Sequence, residues 1–436
     1  GIIIRSSYLR KNELYSRKNH NITLSRFGNL GVFKFVNVRI VDDTVKGDSL
    51  NVFIDLVPLP RNSLSAEFQA VTKSNNFIGP GVILGYLNRN LLRGAEKLNL
   101  DLHGNIETQI SGQARGLFTY QIGPTARLSF PKFLLPFRIR NNNAFPPSTQ
   151  FVLDYNYFHR VYYFDMQSLK FSVEYRWKPT YTKEHMVSPL NVTYLQVNNI
   201  TKEFGEILNY NPFLRQRYED QLIAGAQYNF VYNQQVYEGK PQQWYFGANV
   251  DVAGNTLSLL DRLFDQPEKG NNKFGGVIYA QYARFDFDLR NYIKVREKSK
   301  LALRLLTGIG IPYGNSNTLP YLKAFFSGGP NSIRAFYFSS LGPGRFRLPD
   351  SLRNNFFLQQ GGDIRLEGNA EYRFPIWGFL KGAVFVDAGN TWLMRREAGL
   401  PGGTFYFNSF LKELAVGTGF GLRADFNFFV IRLDLG

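Results

Sequence analysis

The sequence contains no cysteine, and only four histidines and three methionines among its 436 residues. Without cysteine the chain cannot form a disulfide framework, a zinc knuckle or a thiol nucleophile. No apolar run approaches the roughly 18 residues that a membrane-spanning helix needs, which excludes a helical membrane protein. Ile2–Ile4 is too short for the apolar part of a signal peptide. Because the chain starts with Gly1, we expect a mature or truncated chain, and this says nothing against export.

Aromatic residues are abundant, with 40 Phe, 25 Tyr and 4 Trp making up 16% of the chain. The apolar fraction of 44% is that of a folded protein rather than a disordered one. The 51 lysines and arginines outnumber the 34 aspartates and glutamates, so the net charge is +17. The basic residues are scattered and no recognition helix is evident, so we expect no nucleic-acid partner.

A period of two dominates the residue pattern. The clearest segment is 363–374, in which Ile, Leu, Ala, Tyr and Phe alternate with Asp, Arg, Glu and Asn. A soluble sandwich also alternates. These segments, however, have roughly the 9–11 residues of a tilted membrane strand, and their apolar faces often end in aromatic residues. Their polar faces are dense in charge, as suits a wet lumen. The pattern therefore favours an all-β transmembrane barrel over a soluble β protein.

We predict fifteen barrel strands from this alternation. They lie near 63–72, 80–88, 96–107, 121–130, 149–159, 166–177, 186–197, 220–232, 242–252, 274–288, 299–310, 363–374, 380–388, 412–424 and 428–435. Bacterial single-chain barrels have an even number of strands, and an unpaired edge in lipid costs several kcal/mol per backbone group. We therefore expect a further strand beyond Gly436. A missed strand, or two merged ones, would also account for the odd number.

The first sixty residues differ from the rest. Tyr15–Phe27 has helical spacing, and 29–31 then breaks it with Gly31, which fits a helix C-terminus. Strands are predicted at 32–41 and 50–57 with a turn near 42–48. Prolines then end this α+β unit, so we predict a small domain at 1–60 and the barrel at 61–436. The longest break in the strand pattern, about 311–362, is rich in Gly, Pro, Asn and Arg. Loops of this length are usually functional or disordered.

Several segments together resemble the BamA/TamA superfamily of outer-membrane assembly barrels. The loop sequence GGPNSIRAF resembles that family's loop motif, and its motif residues here are Gly328, Gly329, Ser332, Ile333, Arg334 and Phe336. Segments 366–376, 380–392 and 413–436 resemble strands that follow this loop, and 21–38 resembles the end of a POTRA module. Ala335 stands where many members have Gly. Together with the following GPG, this is most similar to the TamL-type branch, TamA-like barrels made as lipoproteins.

The resemblance implies a fold and a side-chain network. The fold would be a 16-strand outer-membrane barrel, its last strand apparently missing, preceded by a partial C-terminal POTRA module at 1–60. The loop at 311–362 would plug the lumen, where Arg334 would pair with Glu371 and Asp387. Alternation by itself places Glu371 on the polar face of its strand and Asp387 opposite Val384 and Val386. An arginine fork suits two carboxylates.

The resemblance also implies a function, namely insertion of outer-membrane proteins through a lateral seam of the barrel, without nucleotide or metal. Its partners would be unfolded outer-membrane protein clients, periplasmic or lipoprotein accessory subunits, and outer-membrane lipid and lipopolysaccharide, whose negative charge suits a basic chain. The POTRA module would lie in the periplasm. The seam strand would comprise Ser63, Leu64, Ser65, Ala66, Glu67, Phe68, Gln69 and Ala70.

Other functions remain open. A POTRA-containing secretion pore of the two-partner type shares barrel, loop and POTRA, and a scaffold subunit would keep a closed seam. A nutrient porin would not explain 21–38 or the loop motif. We expect no enzyme and no cofactor, because GTGFG at 417–421 lacks a following helix and no Ser/His constellation accompanies His103. Asp286 and Asp288 are interpreted as lumen carboxylates near Arg284 rather than as a calcium pair.

Overall fold

The structure is a computed structural model, and it describes residues 2–43, 47, 49–72, 77–109, 118–136, 144–210, 215, 218–237, 239–264, 272–347, 361–426 and 430–436. Parts of three predicted features lie outside the described residues: 44–46 and 48 of the first turn, 348–360 of the long loop, and 428–429 of the last strand. None of the described helices is long and apolar enough to cross a membrane.

The described residues form a small α+β unit and one large sheet. The small unit contains α1 (Ile2–Ser6), α2 (Arg17–Leu30), β1 (Phe33–Asp42) and β2 (Leu50–Pro58). The large sheet contains β3 (Asn62–Thr72), β4 (Phe77–Asn88), β5 (Lys97–Gln109), β6 (Phe118–Phe130), β7 (Ser148–Arg160), β8 (Phe164–Thr180), β9 (Lys183–Asn198), β10 (Gln221–Asn233), β11 (Gln242–Ala253), β14 (Tyr282–Arg296), β15 (Ser299–Pro312), β18 (Ile364–Trp377), β19 (Leu380–Trp392), β20 (Ala415–Asp425) and β21 (Val430–Leu435). Short elements in the loops are α3 (Lys202–Tyr210), α4 (Asn255–Phe264), β12 (Lys273–Phe274), β13 (Val277–Ile278), β16 (Phe325–Phe326) and β17 (Gly361–Gly362).

In the small unit, α2 continues to Leu30, and the glycine predicted at its C-terminus, Gly31, follows directly. Leu30 is buried together with Phe27 and with Ala95 of the β4–β5 turn. Gly31 ends the helix in the left-handed conformation, at φ +62°. This contact, and a 3.3 Å hydrogen bond from Asn29 Nδ2 to Ala144 O, seat the small unit at one end of the large sheet.

The paired strands β1 and β2 carry an exposed ion pair. Arg39 Nε lies 2.8 Å from Asp55 Oδ2, and the two residues are diagonal neighbours, since Arg39 is opposite Phe53 and Asp55 is opposite Asn37. The hydrogen bond from Arg39 holds the pKa of Asp55 below its ordinary value. Because the pair is exposed, its contribution to folding is small.

The fifteen strands of the large sheet are ordered as they occur in the chain, each antiparallel to the next, from β3 at one edge to β21 at the other. All fifteen predicted strands have a counterpart. The prediction of 274–288 was wrong by several residues, because the hairpin β12–β13 interrupts the alternation and β14 starts only at Tyr282. The prediction that a strand starts at 412 was also early, because Phe410–Glu413 forms a 3-10 turn before β20.

The two faces of the sheet differ as those of a membrane barrel do. On β19, Val384 and Val386 are each 49% exposed, whereas Phe385 and Asp387, on the other face, are buried. A polar interior and an apolar exterior are the reverse of a soluble protein. The loop between β15 and β18 packs on the polar face, so this barrel-like sheet encloses its own loop.

Candidate functional site

The loop motif forms a tight turn on the polar face. The N–H of Gly328 donates to Ser332 Oγ at 2.9 Å, and the N–H of Gly329 donates to the carbonyl of Phe336 at 2.8 Å. Gly328 has φ +102°, and a Cβ there would lie 2.1 Å from the Tyr337 carbonyl oxygen, so the turn requires glycine. Ile333 is fully buried beneath it. The turn therefore presents the next side chain, Arg334, at a defined position.

Arg334 lies between two carboxylates from neighbouring strands. Its Nε and Nη2 each donate to Asp387 at 2.7 Å, as a fork matched to both carboxylate oxygens, and its backbone N–H donates to Asp387 at 3.1 Å. Its Nη1 donates to Glu371 Oε2. The guanidinium carbon lies 3.5 Å from the centre of the Phe385 ring. The structure thus brings the three residues of the predicted network together, with the Arg334 side chain only 7% exposed.

Two further polar residues hold the same loop. Asn369 Nδ2 donates to the Ser332 carbonyl at 2.8 Å and to Asp387 Oδ1 at 2.9 Å. Ser327 Oγ donates to Glu367 Oε1 at 2.6 Å. Sequence reasoning did not single out Asn369 or Glu367. Both share the polar face of β18 with Glu371, so the alternation contained a signal for them.

The network continues to the edge of the sheet. Arg423 Nη2, on β20, lies 2.9 Å from Glu371 Oε1 and 3.3 Å from Asp434 Oδ1. Asp434, on β21, lies 3.7 Å from Arg334 Nη1. One chain of ion pairs therefore joins the buried loop to the last described strand. The sequence analysis missed this connection.

Arginines from the wall also bind the loop backbone. Arg432 Nη2, on β21, donates to the Pro330 carbonyl at 3.1 Å, and Arg304 Nη1, on β15, donates to the Asn331 carbonyl at 2.9 Å. The loop tip is thus held from both sides.

Ala335 packs closely against Gly417 of β20. A Cβ added to Gly417 would lie 2.7 Å from the Ala335 Cβ, so this contact leaves no room for a larger residue at 417.

Two polar-face carboxylates of β14 are paired with basic side chains. Arg284 Nη2 donates to Asp286 at 2.9 Å, and Asp288 accepts from Arg290 at 2.6 Å and from Arg304 at 2.9 Å. These contacts agree with the interpretation of Asp286 and Asp288 as lumen carboxylates. Elsewhere on the loop, Lys323 Nζ lies 2.6 Å from Asp251 Oδ2.

The predicted seam residues form the edge strand β3. Ser63–Ala70 pairs with Leu87–Pro80 of β4 along one side. In the part of the chain that the structure describes, no strand pairs with the other side of β3 or with the outer side of β21. Leu64 and Phe68 project outward and are 83% and 84% exposed. The sheet therefore ends in two open backbone edges.

The fold is similar to that of two solved outer-membrane proteins. BamA from Haemophilus ducreyi lacking POTRA domains 1–3 matches with a TM-score of 0.68 and 14% identity, over 99% of this chain and 77% of that chain. CdiB from Acinetobacter baumannii matches with a TM-score of 0.55 and 12% identity, over 100% of this chain and 67% of that chain. At such identities the likeness concerns the fold. No match was found among curated protein sequences.

The sequence itself matches a family model. Residues 120–436, which include the loop motif and its carboxylate partners, match the Omp85 superfamily domain. This confirms the BamA/TamA superfamily predicted from the motifs, whereas the TamL-type branch stays a prediction. The protein is therefore a member of the Omp85 superfamily, with the barrel-like fold of a bacterial outer-membrane protein.

Proposed function

We propose that this protein inserts other outer-membrane proteins through a lateral seam between β3, the first strand of the barrel, and the last strand of the barrel. The observation that carries the proposal is the open edge of β3 in an Omp85 fold. An edge strand presents a row of backbone N–H and C=O groups that can pair with an incoming strand. An unfolded barrel client needs such a template, because its own backbone groups are costly to leave unpaired in lipid.

The alternation on β3 suits this role. Leu64 and Phe68 face outward, so the apolar residues of an added client strand would continue the lipid-facing surface. The intervening Ser65 and Glu67 would stay on the polar side. Completion of backbone hydrogen bonds and burial of the client's apolar face would drive insertion, so neither nucleotide nor metal is required.

The finer assignments belong to the same proposal. Residues 1–60 would be the C-terminal part of a POTRA module in the periplasm, where it would receive clients and accessory subunits. Residues 61–436 would form a 16-strand barrel once a further strand is added, with the 311–362 loop as its plug. The β4–β5 turn would then lie at the periplasmic end. Ala335 and the GPG segment support a TamL-type lipoprotein, and no enzymatic activity is proposed.

Two alternatives share the fold. A two-partner secretion pore would pass its substrate through the lumen, and a scaffold subunit would keep the seam closed. The loop network weighs against the pore, because Arg334 would have to leave two buried carboxylates before the lumen could open. Stripping a buried charge of its partners is strongly unfavourable.

The test is client folding into vesicles. Urea-unfolded barrel protein is added to bilayers with and without the full-length protein, and protease-resistant client is followed over time. We expect acceleration that disappears when cysteines on β3 and on the last strand of the full-length barrel are cross-linked. Residues 1–436 contain no cysteine, so none of them competes with the introduced pair.

A matched control keeps the seam free. Ala66 and Leu84 are direct partners on β3 and β4, so a cross-link between Ala66→Cys and Leu84→Cys leaves the other side of β3 available. Acceleration should survive this second cross-link. Absence of acceleration in the uncross-linked protein would refute the proposal, and single-channel conductance with a specific secreted partner would then favour the pore.

A further inference from the structure

An aromatic segment, residues 405–411, lies between β19 and β20, at the end of the sheet away from the small N-terminal unit. Three of its side chains, which we term the β19–β20 patch, are largely exposed: Tyr406 (53%), Phe407 (87%) and Leu411 (68%). Exposed apolar groups clustered in this way usually mark a binding surface or a membrane contact.

The aromatic segment packs against the buried side chain of Trp392 on β19. The buried ring of Trp392 packs against the rings of Phe405 and Phe410, with centroids 5.5 and 6.4 Å apart. Trp392 Nε1 donates to Glu413 Oε2 at 2.7 Å, and Ser409 Oγ donates to Glu413 Oε1 at 2.9 Å. The patch is therefore displayed by an ordered support.

The support lies on the outward side of the sheet. Trp392 shares the face of β19 that carries Val384 and Val386, the face exposed as the lipid-facing surface. The pairing of β19 with β20 stops at Gly389, so Trp392 extends beyond β20. The rings of Phe405 and Phe410, which pack on Trp392, therefore lie on the outward face of the sheet. Val416, at the start of β20, is 58% exposed on this same face.

We infer that the β19–β20 patch inserts into the membrane leaflet at this end of the barrel, as an interfacial anchor beside β20 and β21. The inference rests on the continuity of the patch with the outward apolar face. A bilayer that covers Val416 also reaches the neighbouring aromatic segment between β19 and β20. Aromatic side chains are stable at the membrane–water interface. The exposed Lys412 in the same turn suits anionic headgroups.

The anchor would fix the end of β20 that lies away from the small N-terminal unit. Because β20 pairs with β21, the anchor would also set the depth of β21 in the bilayer. The inference requires only that the sheet spans a membrane, so it holds for an insertion factor and for a secretion pore alike.

The test uses single nitroxide labels on the full-length protein in vesicles of phosphatidylcholine and phosphatidylglycerol. Labels are placed at Phe407→Cys and at Asn408→Cys, the second of which leaves all three patch side chains intact. Val416→Cys serves as the lipid-facing reference. Leu14→Cys, 97% exposed in the small N-terminal unit, serves as the aqueous reference. Relaxation by oxygen and by a water-soluble nickel chelate then reports depth.

We expect the labels at 407 and 408 to show the oxygen preference of the Val416 reference, with the chelate excluded several-fold relative to the Leu14 reference. Should Phe407→Cys fail to fold, the Asn408→Cys label decides alone. Labels as accessible to the chelate as the Leu14 reference would overturn the inference and leave the patch as a surface for a protein partner.

Discussion

Asp434, on the last described strand, lies 3.7 Å from the guanidinium of Arg334, on the buried loop. Asp434 also faces Arg423 at 3.3 Å and accepts from Arg432 Nε at 2.5 Å. Because Arg334 is itself held by Asp387, the loop and the edge of the sheet belong to one ion-pair network. A change at either end should therefore be measurable at the other.

Replacing Arg334 with alanine should destabilise the barrel by about 3–5 kcal/mol, because the buried Asp387 would lose its cation, whereas Glu371 would keep Arg373 and Arg423. The urea concentration at which the heat-modifiable folded band is lost in vesicles measures this change. Arg334→Lys should lose less than Arg334→Ala, because it keeps the charge and loses the fork. Equal urea resistance of wild type and Arg334→Ala would show that the network does not stabilise the fold.

Asp434→Asn should loosen β21 while β18 and β19 stay protected. The substitution removes the charge that attracts Arg423 and Arg432, and six residues of strand provide few other contacts. Hydrogen exchange of the 430–435 amides should become about tenfold faster, which corresponds to about 1.4 kcal/mol. Asp154→Asn, a polar-face carboxylate of β7 bonded to Thr125, is the matched control and should leave these amides unchanged.

Gly417→Ala should displace the loop tip, because the new Cβ would lie 2.7 Å from the Ala335 Cβ. Such overpacking costs about 1–3 kcal/mol. The second substitution Ala335→Gly should restore most of the urea resistance, since it removes the opposing carbon. Gly368→Ala is the control, because nothing lies within 4 Å of its added Cβ. If the double variant is no better than Gly417→Ala, the contact is not the cause.

The strand pattern could be predicted closely because each barrel strand exposes one face to lipid and one to a polar lumen. Successive side chains therefore alternate between apolar and polar. The one large error was the strand predicted at 274–288. Loop residues continue the alternation there by chance, but they form the short hairpin of β12 and β13, and the barrel strand β14 starts only at Tyr282. The end of α2 at Gly31 was predicted, because a glycine tolerates the left-handed conformation that ends a helix.

The network was partly predictable. Alternation placed Glu371 and Asp387 on the polar face, but the partnership with Arg334 came from the family resemblance, since loop residues have no periodicity to follow. The link through Arg423 to Asp434 was not foreseen. Its charges alternate along β20 and β21 like those of many polar-face residues, and nothing local distinguishes them.

The sequence by itself determined which side of the wall each strand residue occupies, because a strand has a period of two and its environment has two sides. It also determined where the loop turns, through glycines that tolerate positive φ. Only the tertiary structure decided which lumen charges meet. Arg334 and Asp434 are 100 residues apart along the chain, and they come together because the curved sheet carries its last strand past a loop anchored on the strands before it.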